Sequence, residues 1–85
     1  MRRSIDDARD DHPADDDERP GASWAVALED ACEACGAGAL RVVVTVEEVG
    51  RAGLGLVAHL APDTARRLRA ALASALRELG EDPGP

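Results

Sequence analysis

The side chains in this sequence best suited to chemistry are Cys32 and Cys35, three positions apart, and His59. Thiolates and imidazoles are preferred zinc ligands, and a structural zinc site holds four ligands in a tetrahedron. The chain offers these three, together with His12 and many carboxylates. We therefore take Cys32, Cys35 and His59 as the candidate metal ligands and zinc as the candidate cofactor.

The run Cys-Glu-Ala-Cys-Gly at residues 32–36 resembles half of a zinc knuckle. A complete site needs His59 close to the pair with one further ligand, or two chains that each give a cysteine pair. A redox pair is the second interpretation, but redox cysteines gain their low pKa from a helix N-terminus, and we predict this pair at a helix C-terminus. The third is that both cysteines are small, buried hydrophobic side chains.

The remaining polar residues suggest no catalytic group. Glu47 and Glu48 point to opposite faces of a predicted strand, so they cannot act as a paired acid and base. His59 as a general base needs a hydroxyl within hydrogen-bond reach, and only Thr45 is expected to come near it. The glycine-rich stretches match neither the phosphate-loop nor the dinucleotide fingerprint. We therefore expect a protein that is not an enzyme.

The composition argues against two classes of partner. The chain has a net charge of −7 and no Phe or Tyr, with Trp24 as its one aromatic residue. Negative charge repels phosphate backbones, and without aromatic rings bases have nothing to stack on, so we expect no nucleic-acid binding. Asp6 and Asp7 stand where a signal peptide needs apolar residues, and no uncharged run is long enough to span a membrane. We expect a soluble, cytoplasmic protein; its lysine-free, arginine-rich composition is typical of a high-GC bacterium.

The chain divides into three parts by composition. Residues 1–22 contain eight carboxylates and one large aliphatic side chain beyond Met1, Ile5, which predicts a disordered acidic tail. This tail could dock on a basic protein partner. Residues 23–80 are predicted to form a compact domain, and residues 81–85 a disordered C-terminal tail.

Three elements are predicted within the domain. Residues 24–35 favour a helix capped by Ser23, although the alternation of Trp24, Val26 and Leu28 leaves a short strand as the competing interpretation. Residues 40–49 and 54–61 alternate as a β-hairpin. A three-residue loop ending at a left-handed Gly53 would place Val46 opposite Ala58 and Val44 opposite Leu60. Residues 62–79 show the apolar stripe of an amphipathic helix.

These elements predict an α+β fold with an α-β-β-α layout, in which helices cover one face of an antiparallel hairpin. A two-stranded sheet is barely stable alone, and the odd-numbered strand residues include Val43, Val49 and Val57. We therefore expect dimerisation to complete the domain. The resulting hypothesis is a non-catalytic, homodimeric protein–protein interaction or regulatory module, with a zinc-stabilised module using Cys32 and Cys35 as the alternative.

Overall fold

The computed structural model describes all 85 residues and consists of a four-stranded antiparallel sheet followed by one helix. The strands pair in chain order, so that each is hydrogen-bonded to its sequence neighbours. The α+β class predicted from the sequence is confirmed. The elements are β1 (Arg2–Arg9), β2 (Ala22–Glu29), β3 (Arg41–Glu48), β4 (Leu56–Leu60) and α1 (Pro62–Glu78).

The helix predicted over residues 24–35 is wrong, because Ala22–Glu29 form β2 and the cysteines lie in the loop that follows. β2 is a central strand, paired with β1 on one side and β3 on the other. Its large side chains alternate with small ones, which suits a sheet with a cover on each face. The backbone pairing available on both sides outweighs the high helix propensity of its alanine residues. The α-β-β-α layout is therefore replaced by four strands and one helix.

The first strand lies within the segment for which the composition predicted disorder. β1 is exposed along its whole length and pairs with β2, with an irregularity at Ile5. Its pairing depends on backbone hydrogen bonds and on surface contacts such as the 2.8 Å ion pair between Arg2 and Glu29. Charged side chains are common on edge strands, where they discourage pairing with other chains. Composition alone does not reveal such a strand.

The β3–β4 hairpin is present, but its register differs by two residues from the prediction. Val46 pairs with Leu56 and Val44 pairs with Ala58, so each β3 residue meets the residue two positions earlier on β4 than predicted. Gly53 is left-handed as predicted, with φ +84°, and its N–H donates to Glu47 Oε2 at 3.0 Å. A shift of two residues preserves the side-chain alternation, so the predicted faces stay correct.

The C-terminal helix is confirmed over Pro62–Glu78, with the proline in its first turn. Leu79 caps the helix, and Gly80 follows it with φ +80° and an N–H that donates to Arg77 O at 2.9 Å. None of its residues is buried. No helix in the structure combines the length and apolarity that crossing a bilayer requires.

The sheet has two faces with different covers. We call the side that carries the odd-numbered residues of β2, β3 and β4 the odd face, and the other side the even face. α1 lies over the even face beside Val42, Val44 and Leu60, whereas the β2–β3 loop lies over the odd face. Ala27 and Val43, paired on the odd face, are the two buried hydrophobic residues. The small core therefore lies beneath the cysteine-bearing loop.

Candidate metal centre

The three candidate ligands meet on the odd face. His59 lies on β4 directly opposite Val43, which in turn pairs with Ala27. The loop joining β2 to β3, residues 30–40, carries Cys32 and Cys35 across this row of residues. Cys35 Sγ thereby lies 3.3 Å from His59 Nδ1. The site is built by a strand residue and by the loop that covers the protein's core.

The geometry fits a single zinc ion. The ligand atoms of Cys32, Cys35 and His59 all lie within 4.8 Å of one another. Zinc–sulfur and zinc–nitrogen bonds of about 2.3 and 2.0–2.1 Å in a tetrahedron place neighbouring ligand atoms about 3.5–3.8 Å apart. Movements of about 1 Å or less would therefore bring the three atoms to a common ion. Both cysteines are half-buried and His59 is exposed, so the site is open to solvent on one side.

The loop forms a tight turn that contains the second cysteine, Cys35. Gly36 N–H donates to Glu33 O at 3.0 Å, and Ala39 N–H donates to Gly36 O at the same distance. Gly36 has φ +119°, a region that side chains with a Cβ rarely adopt. Gly36 closes the turn that contains Cys35. Two consecutive turns thus shape the loop from Glu33 to Ala39, directly after Cys32.

The two thiols differ in acidity. The pKa of Cys32 is lowered, first by the backbone N–H of Cys35, then by the Cys35 thiol and the backbone N–H of Ala34. The pKa of Cys35 is raised, first because its thiol donates toward Cys32, then by partial burial and the negative charge of Cys32. Cys32 therefore loses its proton before Cys35. Backbone donors aimed at one sulfur prepare it to act as a thiolate ligand.

Arg41, the first residue of β3, supports the second cysteine. Its Nη2 donates to Cys35 O at 3.3 Å, and Nη1 donates to Leu40 O at 3.4 Å. Hydrogen bonding by its guanidinium, and then its positive charge, also lower the pKa of Cys35, although less than the neighbouring cysteine raises it. Arg41 thus fastens the end of the loop to the sheet and offsets negative charge when both cysteines are ionised. Sequence reasoning did not identify this residue; the only signal was its position at the end of the loop.

Two other residues considered from the sequence lie elsewhere. His12 Nε2 is 2.8 Å from Asp16 Oδ2 in the β1–β2 connection, and His12 is not a member of the cysteine cluster. Thr45 pairs with Val57 rather than with His59, so the prediction that Thr45 and His59 are cross-strand neighbours is wrong. The same two-residue register difference accounts for this error.

The chain was compared with protein-family models, with curated protein sequences and with solved structures. None of the three comparisons gives a match.

Proposed function

We propose that this chain is a small, non-catalytic protein–protein interaction module whose fold is stabilised by zinc at Cys32, Cys35 and His59. The observation that supports the zinc site is the 4.8 Å cluster, which brings His59 together with two cysteines that lie 24 and 27 positions earlier in the sequence. A bound ion would join the β2–β3 loop to β4 above Ala27 and Val43. In a chain this small, such a link contributes a large share of the stability.

The chemistry of the ligands favours zinc over harder cations. Two sulfur atoms and one imidazole nitrogen suit zinc, whereas magnesium and calcium prefer oxygen ligands. Three protein ligands leave one tetrahedral position for water or an exchangeable ligand. The open surface around His59 provides no enclosed substrate pocket, and for this reason we assign the ion a structural role.

The test is metal content and affinity, measured on the full chain purified without chelator. We expect about one zinc ion per chain by elemental analysis and equilibrium dialysis. Cys32→Ser should abolish binding, and His59→Ala should weaken it by at least about 10-fold. His12→Ala is the matched control, since it removes the other histidine outside the cluster, and should bind like the unmodified chain.

Two results would contradict the zinc site. One is less than about a tenth of an equivalent of zinc per chain after dialysis against excess metal. The other is equal loss of affinity in His12→Ala and His59→Ala, which would indicate diffuse binding by histidines. Circular dichroism of each variant verifies that a loss of metal does not merely report unfolding.

A further inference from the structure

The even face is only partly covered by α1. The helix contacts β3 and β4 and no other strand. Between helix and sheet lies an open groove of about 680 Å³. Its apolar lining comes from both sides, with Val26, Val42, Val44 and Leu60 from the sheet and Leu68, Leu72 and Leu76 from the helix. Pro83, Gly84 and Pro85 also line the groove, where Arg69 Nη2 donates to Pro85 O at 2.8 Å, and the groove remains open to solvent.

The apolar surface continues beyond the groove to the far end of the sheet. Trp24, Val46 and Leu56 form one cross-strand row on the even face. Leu56 is 84% exposed and Val46 is 49% exposed. On the helix, Leu72 is 60% exposed although it belongs to the apolar stripe. Two apolar strips, one on the sheet and one on α1, therefore face solvent on the same side of the molecule.

The exposed area is larger than a chain of this mass normally shows. The accessible surface is 6642 Å². A compact monomer of 8.9 kDa is expected to expose only about 4,800 Å². The excess of about 1,800 Å² is more than twice the roughly 800 Å² that each partner buries in a standard interface. The radius of gyration, 14.9 Å, also exceeds the about 12 Å expected of a compact chain of 85 residues.

We propose that a second copy of this chain covers the even face, with α1 of each copy packed on the Trp24–Val46–Leu56 row of the other. A two-fold axis makes such an interface self-complementary, because one surface carries both the strip that is covered and the helix that covers it. This inference rests on the proposed function in part, since it names the partner of the interaction module. It does not depend on the zinc site, which lies on the opposite face.

The charge distribution favours a second copy over an unrelated apolar partner. α1 carries four arginines and two carboxylates, whereas residues 1–22 carry eight carboxylates and four arginines. Within one chain α1 makes no contact with β1. Arg67 and Arg77 have no ionic partner in the structure. A partner placed across the even face can bring its acidic N-terminal region to these arginines, which steers the two copies together.

The test uses the full chain with neighbouring residues on opposite faces of β4. Leu56→Asp places a charge on the proposed interface, whereas Val57→Asp places the same charge on the odd face, where Val57 is 53% exposed. Sedimentation equilibrium should give a dimer for the unmodified chain at about 100 µM, and Leu56→Asp should raise the dimer Kd by at least about 30-fold. Val57→Asp should remain a dimer.

Trp24 gives an independent measurement, because it is the only aromatic residue and lies in the row to be covered. Diluting the unmodified chain should shift its emission to longer wavelength as the interface separates, and Leu56→Asp should show the shifted spectrum at every concentration. A monomer at about 100 µM overturns the proposal. So does a dimer that survives Leu56→Asp, or one that only Val57→Asp separates. Zinc content, measured in the same samples, shows whether the metal site fails separately.

Discussion

The two faces of this sheet differ in how completely they are covered. On the odd face a short loop lies close to the strands, and Ala27 and Val43 beneath it are 2% and 1% exposed. On the even face a 17-residue helix lies above the strands, yet none of its residues is buried. The shorter element thus gives the better cover.

The difference lies in how each cover is attached. The loop is connected to β2 and β3 at its two ends, to β3 again through the Arg41 hydrogen bond to Cys35 O, and to β4 through the Cys35–His59 contact. α1 is connected to the sheet at one end, by residue 61 after β4, and it contacts only β3 and β4. A cover fixed at several points loses less entropy when it closes, whereas one fixed at a single end needs a further surface to hold it. We infer that the odd face is the protein's own core and the even face its interface.

Zinc binding should stabilise the odd face relative to the even face by more than any of the substitutions below. At a free zinc concentration of about 100 times Kd, binding to the folded state alone adds about 2.7 kcal/mol to the free energy of unfolding. Urea denaturation with and without zinc measures this increment. Cys32→Ser is the control and should show no increment. An equal gain in that variant would mean that zinc acts elsewhere than at the cluster.

Val43→Ala and Val46→Ala compare the two faces within one strand. Val43 is buried and Val46 is 49% exposed. Removing two methyl groups from the buried site costs about 2 kcal/mol through lost burial and the cavity left behind. The exposed site should cost less than about 0.5 kcal/mol in the monomer but weaken self-association. Urea unfolding at low protein concentration separates these effects, and equal destabilisation by both variants would contradict the assignment of the core.

The β3–β4 turn should show a smaller, local effect. A Cβ added at Gly55 would lie 2.5 Å from both Glu47 Cβ and Val46 O, closer than the strand can accommodate without moving. Gly55→Ala should therefore cost about 1–2 kcal/mol by forcing the hairpin apart. Gly53→Asn is the matched control, because that site has open space and asparagine tolerates a positive φ. Thermal unfolding that ranks Gly53→Asn as the more damaging change would show that this register is wrong.

The sequence predicts the elements that carry a clear period. α1 and the hairpin have apolar residues at helical and alternate spacing, and both are confirmed, as is the assignment of Val42, Val44 and Leu60 to one face. The register could not be fixed in this way, because a shift of two residues leaves every side chain on the same face. The close approach of Gly55 to β3, which accompanies the longer loop, depends on three-dimensional contacts that periodicity does not encode.

Two strands were missed for a different reason. The sequence of β2 is compatible with a helix or a strand. Its pairing with the two neighbouring strands is what makes it a strand. β1 has no apolar period at all and is held mainly by backbone pairing at an exposed edge. The juxtaposition of Cys32, Cys35 and His59 could be named as a candidate from ligand type. The three residues lie close together because the loop that carries the cysteines folds over β4. That arrangement could not be predicted while residues 24–35 were taken for a helix.

The β1–β2 connection lies outside both faces, and a substitution there should have the smallest effect of all. There the backbone N–H of Glu18, and after it the His12 side chain, lower the pKa of Asp16. Because the folded-state pKa is lowered, this contribution to stability is present at neutral pH and is lost as the pH falls through that pKa. His12→Ala should raise the pKa of Asp16 only part of the way, since the Glu18 N–H still donates to Asp16 Oδ1 at 2.9 Å. A carbon-detected NMR titration measures the carboxylate directly. An unchanged pKa would show that His12 does not hydrogen-bond to Asp16 in solution. A change in zinc affinity or in the dimer Kd would show that the connection is coupled to one of the two faces, neither of which it contacts.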